Sequence, residues 1–497
     1  MRKKRLLYST ASALINESVM LICEFILPRQ ILLSYGSDVN GLVTSITQFL
    51  AFIALTEMGV GAVVKSALYK PLASGDEIET SRILKSARSF FNKIGGILIL
   101  YAALLCVVFP LITKSDFEYA YIIPLIIAIS ISSIAQYYFG IVNQLLLTAD
   151  QRSYVCLLLN SVSMIVNTAA SIVLMRAGAG IQVVKFAAAA ALLIKPIGMA
   201  VFVNRHYKID KNIELHYEPI KQKWNGIAQH IAAFVLSHTD VIVLSIFSTF
   251  KDVSVYNIYY MVVAGMRRLL TTAMTGVDAL FGNLYARNDP GLQKHFAMYE
   301  WIMHTGVTLL FTVTALLICP FISVYTRGVN DVNYIYPVFG ALLVAAYGGY
   351  CIRLPYNTMV LAAGHYKETQ TSAIIEAVLN VVVSILLVRK YGLYGVAVGT
   401  LIAMLYRSCY LALYLSKAIM YRPFVNYLKH ILVDTIVIIL VVFSTKWLLT
   451  AVNGYLEWII LAVKVFAIAA IEVLAINGAV YNTEFRDAVK AIKVRRK

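Results

Sequence analysis

Charged side chains interrupt the long apolar stretches of this sequence, and their types indicate the chemistry that they could support. Six cations lie deep in apolar segments: Arg29, Lys195, Arg267, Arg268, Arg353 and Arg407. A guanidinium presents paired N–H donors in a planar fork that matches phosphate oxygens. In a membrane-spanning helix such a charge costs about 2.5–3.5 kcal/mol, so it usually faces a wet interior or an opposite charge. We expect these cations to line a central substrate-binding cavity, or alternatively to form ion pairs between helices.

Four carboxylates occupy similar surroundings. Glu17 and Glu24 are seven residues apart, so a helix would present both on one face. We predict that they line the same cavity as the cations, with interhelical ion pairs as the alternative. Glu57 and Asp240 are candidates for binding a coupling ion, Na⁺ or H⁺. Apart from such an ion, the sequence predicts no cofactor.

The sequence contains no motif for covalent catalysis or nucleotide hydrolysis. The Walker A, HExxH and GxSxG patterns are absent. The six cysteines lack the spacing of a metal site or a redox motif, and we interpret them as small buried apolar residues. We therefore predict no catalytic residue, no metal ligand and no enzymatic activity.

Helices that cross a membrane are the elements that would have to position these charges. The 497-residue chain is 60% hydrophobic and 14% charged, against about 45–50% and about 25% in soluble proteins. Apolar segments of about 20 residues, the length of a spanning helix, recur along the chain. We predict fourteen spans: 9–33, 41–66, 92–113, 119–147, 153–176, 181–203, 225–249, 255–284, 298–324, 334–362, 370–388, 395–418, 430–450 and 456–480. The predicted fold class is an all-α integral membrane protein.

Basic residues are distributed unevenly among the predicted loops. Most lie on the side that carries residues 1–5 (MRKKR) and the C-terminal tail. Because lysine and arginine are retained in cytoplasmic loops, both termini are predicted to be cytoplasmic, in a plasma (inner) membrane of the bacterial type. The bias also explains the formal net charge of +17, so anionic lipid is the expected partner and nucleic acid is not. Residues 70–91 are amphipathic and are predicted to lie along the membrane surface.

The second half of the sequence repeats polar positions of the first half at an offset of 213 residues. Residues 121–124 (YIIP) recur as 334–337 (YIYP), and residues 167–176 (NTAASIVLMR) recur as 380–389 (NVVVSILLVR). A duplicated unit of six spans, an even number, gives two lobes of parallel topology with pseudo-two-fold symmetry. In transporters built this way the substrate site lies between the repeats.

The repeat divides the sequence into five predicted parts. They are an N-terminal lobe 1–203, a cytoplasmic linker 204–224, a C-terminal lobe 225–418, a pair of spans in 419–480 and a basic cytoplasmic tail 481–497. Each lobe contains six spans. Lys195 and Arg407 occupy nearly equivalent places in the two copies, so both lobes are expected to bring a cation to the same depth.

Four segments of the sequence are similar to those of a transporter superfamily. They are YGSDVNGL at 35–42, LTEMGVGA at 55–62, KPLA at 70–73 and DVIVLSIFSTFKDVSVY at 240–256. With fourteen spans and a six-span repeat, the chain resembles the multidrug/oligosaccharidyl-lipid/polysaccharide (MOP) exporter superfamily. Within it, the chain resembles the polysaccharide repeat-unit flippases for O-antigen, capsule and exopolysaccharide. It departs from that family at Val255-Tyr256, where Gly-x-Tyr is more common.

The resemblance implies a V-shaped pair of six-helix lobes that work by alternating access. It also implies transport of an undecaprenyl-diphosphate-linked oligosaccharide from the inner to the outer leaflet for polysaccharide export. The predicted cations would then bind the diphosphate. The implied partners are membrane lipid, the lipid-diphosphate-linked sugar, and the polysaccharide polymerase and glycosyltransferases of the same pathway.

Three alternatives stay open on the sequence. A lipid II-type flippase is a close relative that the sequence separates poorly from a polysaccharide flippase. A multidrug/cation antiporter of the same fold would favour a smaller and more acidic cavity. A membrane polysaccharide polymerase, which is an enzyme, would need a long outer loop rich in arginine or histidine, and no predicted outer loop exceeds about ten residues.

Overall fold

The chain folds entirely into helices and turns wherever its structure is described. The computed structural model describes residues 2–56, 59–113, 116–210, 212–214, 227–274 and 276–494. These ranges contain no strand, which confirms the predicted all-α class. The chain forms two compact units. The first comprises Met1–Phe234 with Thr249–Ser254, and the second comprises Val235–Ser248 with Val255–Lys497.

The first unit is built mainly on the eight helices that the structure describes before residue 207. Their bounds are α1 (Arg2–Ala51), α2 (Val60–Ser74), α3 (Glu77–Ile112), α4 (Tyr119–Ala135), α5 (Ile141–Ala149), α6 (Ser153–Arg176), α7 (Ile181–Leu192) and α8 (Ile194–His206). α1 consists of two helices joined at Gly36, whose φ of 82° favours glycine. A π-helical turn at Gln136–Gly140 joins α4 to α5.

The second unit is built mainly on eleven further helices of the described residues. They are α9 (Ile227–Phe247), α10 (Phe250–Ala273), α11 (Val277–Ala286), α12 (Leu292–Tyr325), α13 (Pro337–Ile352), α14 (Leu354–Ala362), α15 (Gln370–Tyr391), α16 (Leu393–Ala418), α17 (Val425–Thr445), α18 (Tyr455–Val480) and α19 (Asn482–Val494). The division between the units falls inside α9 and α10. Of the predicted linker 204–224, residues 204–206 end α8, whereas 211 and 215–224 lie outside the described residues. The five predicted parts stay a prediction.

Many of the helices can cross a membrane. Eleven segments of the described residues are long and apolar enough: Tyr8–Ala54, Glu77–Ile112, Tyr119–Ala149, Ser153–Arg176, Ile181–His206, Leu292–Tyr325, Pro337–Ala362, Gln370–Tyr391, Leu393–Ala418, Val425–Leu448 and Tyr455–Val480. The chain is therefore a multi-pass membrane protein. All fourteen predicted spans overlap helices, but the count of fourteen stays a prediction. α2 has only 15 residues, α10 contains four charged residues, and α9 contributes the shorter apolar helix Phe234–Phe247.

The helix α3 begins well before its apolar part. Asp76 accepts a hydrogen bond from the backbone N–H of Glu79 at 2.8 Å and so caps the N-terminus of the helix. The helix then continues to Ile112. Residues 77–91 are therefore helical and belong to the same helix as the apolar stretch, and their place along the membrane surface stays a prediction.

Two helix ends in the second unit match helix ends in the first unit at the predicted offset. α3 ends at Ile112 and α12 ends at Tyr325, which is the predicted offset of 213 residues, and α5 and α14 end at the same offset. A glycine with positive φ also precedes both α2 and α11, Gly59 at 87° and Gly276 at 93°, although the two are 217 residues apart and not 213. Because other residues are strained at such φ values, glycine suits the start of each helix.

The last two apolar helices pack against the repeat part of the second unit. Val437 and Val441 of α17, together with Ala469 and Val473 of α18, are fully buried in one cluster with Trp301 of α12. Small and β-branched side chains allow helices to approach closely, which is the main source of attraction between helices in lipid. The pair α17–α18 is thus part of the second unit.

Candidate functional site

Three of the six predicted cations meet in the second unit. We call Arg267, Arg353, Arg407 and Glu376 the arginine cluster. Arg353 forms an ion pair with Glu376 of α15. In α16, Arg407 Nε lies 3.8 Å from the other carboxylate oxygen of Glu376, and Arg407 Nη1 donates to the carbonyl oxygen of Thr369 at 2.9 Å. The ion-pair alternative therefore applies to Arg353 and Arg407.

Arg267 of α10 joins this cluster through aromatic rings. Its guanidinium carbon lies 5.5 Å from the ring centre of Tyr347 and 5.4 Å from that of Tyr350. The guanidinium carbon of Arg353 lies 4.3 Å from the same Tyr350 ring. Arg267 forms no ion pair with the residues that the structure describes. With three cations and Glu376 as its one carboxylate, the cluster has a formal charge of +2.

The position of Arg353 follows from the local sequence. Pro355 stands in the first turn of α14 and cannot donate a backbone hydrogen bond. Proline also disfavours the helical conformation of the residue before it. α13 therefore ends next to Arg353 and a new helix begins. Breaks of this kind in spanning helices occur where protein groups or water can satisfy the freed backbone.

A second buried group, which we call the Asp240 cluster, joins four helices of this unit. It consists of Asp240 of α9, Tyr256 of α10, Asn380 of α15 and Thr400 of α16. The hydroxyls of Tyr256 and Thr400 donate to Asp240 Oδ2 at 2.7 and 2.6 Å, and the Asn380 amide donates to Oδ1 at 3.2 Å. Asp240 is only 2% exposed. All three donors are neutral, so the carboxylate has no cationic partner among the described residues.

Further oxygen atoms lie beside this cluster. Asn380 Oδ1 and the hydroxyl of Ser384, one turn later on α15, are buried without a hydrogen-bond partner in the described part of the chain. The backbone oxygen of Val396 lies 3.1 Å from Thr400 Oγ1. Carboxylate, amide, hydroxyl and carbonyl oxygens are the ligands that hard cations prefer. These residues therefore fit a bound cation, and the carboxylate alone fits a proton.

Tyrosine side chains connect the two clusters. The ring of Tyr256, whose hydroxyl contacts Asp240, stacks on Tyr260 with the ring centres 5.9 Å apart. Tyr260 meets Tyr347 at 5.6 Å in an edge-to-face arrangement, and Tyr347 contacts Arg267. A continuous path of packed side chains therefore runs from the carboxylate to the unpaired arginine.

The sequence analysis missed a third buried group, on α12, α14 and α17. His304 Nδ1 lies 2.5 Å from Asp434 Oδ2, and His304 Nε2 lies 3.1 Å from the hydroxyl of Tyr356. That hydroxyl donates to Glu300 Oε1 at 2.6 Å, and Arg422 forms an ion pair with Glu300. His304 and Asp434 are 130 residues apart in the sequence. No local spacing in the sequence indicates such a pair, although each residue alone is a polar group in an apolar segment.

The other predicted site residues are not among the members of these clusters. Arg268 is half-buried next to Arg267 on α10. Four residues are half-buried in the first unit: Glu17, Glu24 and Arg29 on α1, and Lys195 on α8. Glu57 lies outside the described residues. That these residues share one cavity with the arginine cluster stays a prediction.

Comparison with known proteins shows similarity in structure. No family model matches the chain, and no curated protein matches its sequence. The structure of the lipid II flippase MurJ in an inward closed conformation superposes with a TM-score of 0.71 at 14% identity, covering 95% of this chain and 99% of that chain. An inward-facing multidrug resistance transporter of the MATE family, in the MOP superfamily, gives 0.58 at 15% identity, covering 83% and 97%.

The bent form of the Vibrio cholerae MATE transporter VcmN gives a TM-score of 0.53 at 14% identity, covering 84% of this chain and 97% of that chain. At these identities the likeness is one of fold. The chain has an all-helical fold like that of the MurJ flippase and the MATE transporters, which confirms the predicted fold class. The likeness does not assign a subfamily.

Proposed function

We propose that this protein is a flippase that moves an undecaprenyl-diphosphate-linked oligosaccharide from the inner to the outer leaflet of a bacterial-type plasma membrane, by alternating access, for polysaccharide export. The observation that carries the proposal is the arginine cluster. It holds three guanidinium groups and one carboxylate within a transporter fold. A net positive charge inside a membrane-spanning region is costly unless an anion offsets it.

Arg267 is the residue to which we assign the diphosphate. Its guanidinium lies against the rings of Tyr347 and Tyr350 and is not engaged by a carboxylate of the described residues. Contact with ring faces leaves the in-plane N–H donors of a guanidinium available to phosphate oxygens. Arg353 and Arg407 share Glu376 and add positive potential nearby.

We further propose that Asp240 binds the coupling ion, Na⁺ or H⁺. Its carboxylate is buried among neutral donors, next to buried oxygens of Asn380 and Ser384 that lack partners in the described part of the chain. A cation at Asp240 would supply the missing positive charge. Through the packed side chains of Tyr256, Tyr260 and Tyr347, a cation bound at Asp240 would affect Arg267. Glu57 remains the second candidate.

Two related functions are alternatives. A lipid II-type flippase would carry the same kind of lipid diphosphate, so the arginine cluster supports it equally. A multidrug/cation antiporter would carry organic cations, and the charge of +2 in the cluster opposes them. The observation in favour of an antiporter is Asp240, which could attract a cation. We favour an anionic lipid-linked substrate, and with it a non-enzymatic role.

Transport by purified protein in proteoliposomes tests this proposal. The substrate is an undecaprenyl-diphosphate oligosaccharide, and its arrival in the opposite leaflet is measured with a membrane-impermeant sugar-modifying reagent. We expect wild-type protein to transport it and Arg267→Gln to slow transport by about tenfold to a hundredfold, the worth of one charge-assisted hydrogen bond.

Lys367→Gln is the matched control, because Lys367 is an exposed cation in the turn before α15. It should transport at the wild-type rate. Absence of transport by the wild-type protein, or equal rates for Arg267→Gln and Lys367→Gln, would contradict the proposal.

A further inference from the structure

A cavity in the first unit, lined by several polar side chains together with Leu84 and Ile209, is separate from the groups described so far. Its volume is about 320 Å³, and it lies between the first turns of α3 and the chain that follows α8. Ser81, Lys85, Arg88 and Asn92 line it from α3. They are three or four residues apart, so they share one face of the helix.

The cavity lies outside the apolar part of α3. The helix has 36 residues and is therefore about 54 Å long, whereas the hydrocarbon core of a bilayer is about 30 Å thick. Its uninterrupted apolar stretch begins at Ile94, after the last residue that lines the cavity. The cavity is thus placed at the level of lipid headgroups, at the end of the span that the basic loops assign to the cytoplasm.

The chain after α8 is fixed against α3 by hydrogen bonds. The hydroxyl of Ser81 accepts from the backbone N–H of Asp210 at 3.1 Å, and Lys85 Nζ donates to the carbonyl oxygen of Ile213 at 2.6 Å. The carboxylate of Asp210 accepts from the backbone N–H of Asn212 at 2.8 Å. These bonds fix the wall of the cavity opposite α3. The carboxylate of Asp210, the one carboxylate of the lining, is engaged by the backbone of its own turn.

The polar groups of the α3 wall are not all satisfied. Arg88 is half-buried and makes no hydrogen bond or ion pair with the residues that the structure describes. Lys85 forms no ion pair with them either. Asn92 Oδ1 is buried and lacks a hydrogen-bond partner among them. Because Asn92 Oδ1 is an acceptor, a water or another donor would satisfy it, whereas the N–H donors of Arg88 and the remaining donors of the Lys85 ammonium are the groups that an anion would satisfy.

We propose that this cavity binds a phosphate group. Arg88 supplies a planar pair of donors, Lys85 a point charge, and Ser89 and Asn92 neutral donors, which together match phosphate oxygens. The phosphate could belong to an anionic phospholipid headgroup or be free phosphate, because both offer the same oxygens to these donors. The site is distinct from the arginine cluster, and transport does not have to depend on it.

Retention of lipid by the full-length protein in detergent tests the lipid source. Native mass spectrometry would compare phosphatidylglycerol with diacylglycerol, which has no phosphate. We expect Arg88→Gln to bind phosphatidylglycerol about tenfold more weakly than the wild type, and diacylglycerol equally. Arg88→Lys keeps the positive charge but loses the planar pair of donors, so its affinity for phosphatidylglycerol should lie between those of the wild type and Arg88→Gln. Lys93→Gln is the control, because Lys93 is exposed on the same helix and does not line the cavity.

Thermal unfolding with added inorganic phosphate tests whether free phosphate binds in the cavity. Stabilisation of the wild type and the Lys93→Gln protein, but not of the Arg88→Gln protein, would identify free phosphate as a ligand. Selective loss of phosphatidylglycerol without this stabilisation would identify the headgroup. If Arg88→Gln and Arg88→Lys match Lys93→Gln in both measurements, the proposal is wrong.

Discussion

Asp240 is a carboxylate that the fold buries without a counter-charge among the described residues. It is 2% exposed, and its partners are the neutral groups of Tyr256, Asn380 and Thr400. An isolated buried charge is costly, and such a group either takes up a proton or binds a cation. Its environment suits a site that exchanges a positive charge during a transport cycle, since no fixed cation competes for it.

Replacement of this carboxylate by an isosteric amide should uncouple transport from the ion gradient. Asp240→Asn keeps the shape and most hydrogen bonds but removes the negative charge. We expect transport to be at least about tenfold slower under an imposed Na⁺ or H⁺ gradient, and no longer stimulated by it. Proteoliposomes with each gradient imposed separately would measure the effect and identify the ion.

Glu368→Gln is the control for this substitution, because Glu368 is an exposed carboxylate in the turn before α15. It should retain full stimulation. An Asp240→Asn protein that still responds to the same gradient as the wild type would exclude Asp240 as the coupling residue.

The sequence identified charged residues but not their partners. Arg267, Arg353, Arg407 and Asp240 were predictable, because an ion in an apolar segment is conspicuous. Which of the arginines would share Glu376 was not predictable, since α13, α15 and α16 must first pack together. Arg267 differs from its neighbours only through its tyrosine contacts, which the sequence does not show.

At the scale of helices, polar contacts attach α17 to the helices of the repeat. Asp434 on α17 contacts His304 on α12, and Thr308 donates to its second carboxylate oxygen at 2.8 Å. These bonds are buried beside the apolar cluster of Val437 and Val441. The two kinds of contact together fix α17, and α18 packs against it.

Loss of the Asp434 carboxylate should weaken this attachment. Asp434→Ala leaves His304 and Thr308 buried without their acceptor. The loss of one partner of a buried pair costs about 3–5 kcal/mol, so we expect a clear fall in the thermal unfolding temperature in detergent. Thr435→Ala, at the adjacent exposed position, should change stability by no more than about 0.5 kcal/mol. Equal stability of the two variants would show that the apolar contacts alone hold α17.

Helix positions were more predictable than helix interruptions. Apolar length indicates where a chain can cross lipid, so each of the fourteen predicted spans overlaps a helix of the described residues. The breaks at Gly59 and Gly276 depend on a positive φ, which many glycines of the sequence could adopt. The predicted span 92–113 covers only the apolar part of α3, because hydropathy does not detect the capped polar turns that precede it.

At the scale of the whole molecule, polar positions that the predicted repeat pairs have different partners in the two units. In the second unit Asn380 donates to Asp240. In the first unit its counterpart Asn167 accepts from Ser171 at 3.4 Å, the counterpart of Ser384. Of this predicted pair, only Asn380 contacts a carboxylate among the described residues. The sequence predicted the duplication from matching polar positions, but it could not show the partners of those positions.

The fold does not determine the substrate, because flippases and drug transporters share it. The charge of the arginine cluster is the feature that distinguishes between an anionic lipid and an organic cation. The central claim is therefore that Arg267 and its neighbours bind a lipid diphosphate.

The affinity of the purified protein for three matched lipids tests this claim most directly. They are an undecaprenyl diphosphate, the corresponding monophosphate and the uncharged alcohol. We predict that the diphosphate binds most tightly, and that Arg267→Gln removes about tenfold or more of this preference while binding of the alcohol stays unchanged. Equal affinity of the wild-type protein for all three lipids, or an unchanged preference in Arg267→Gln, would contradict the account.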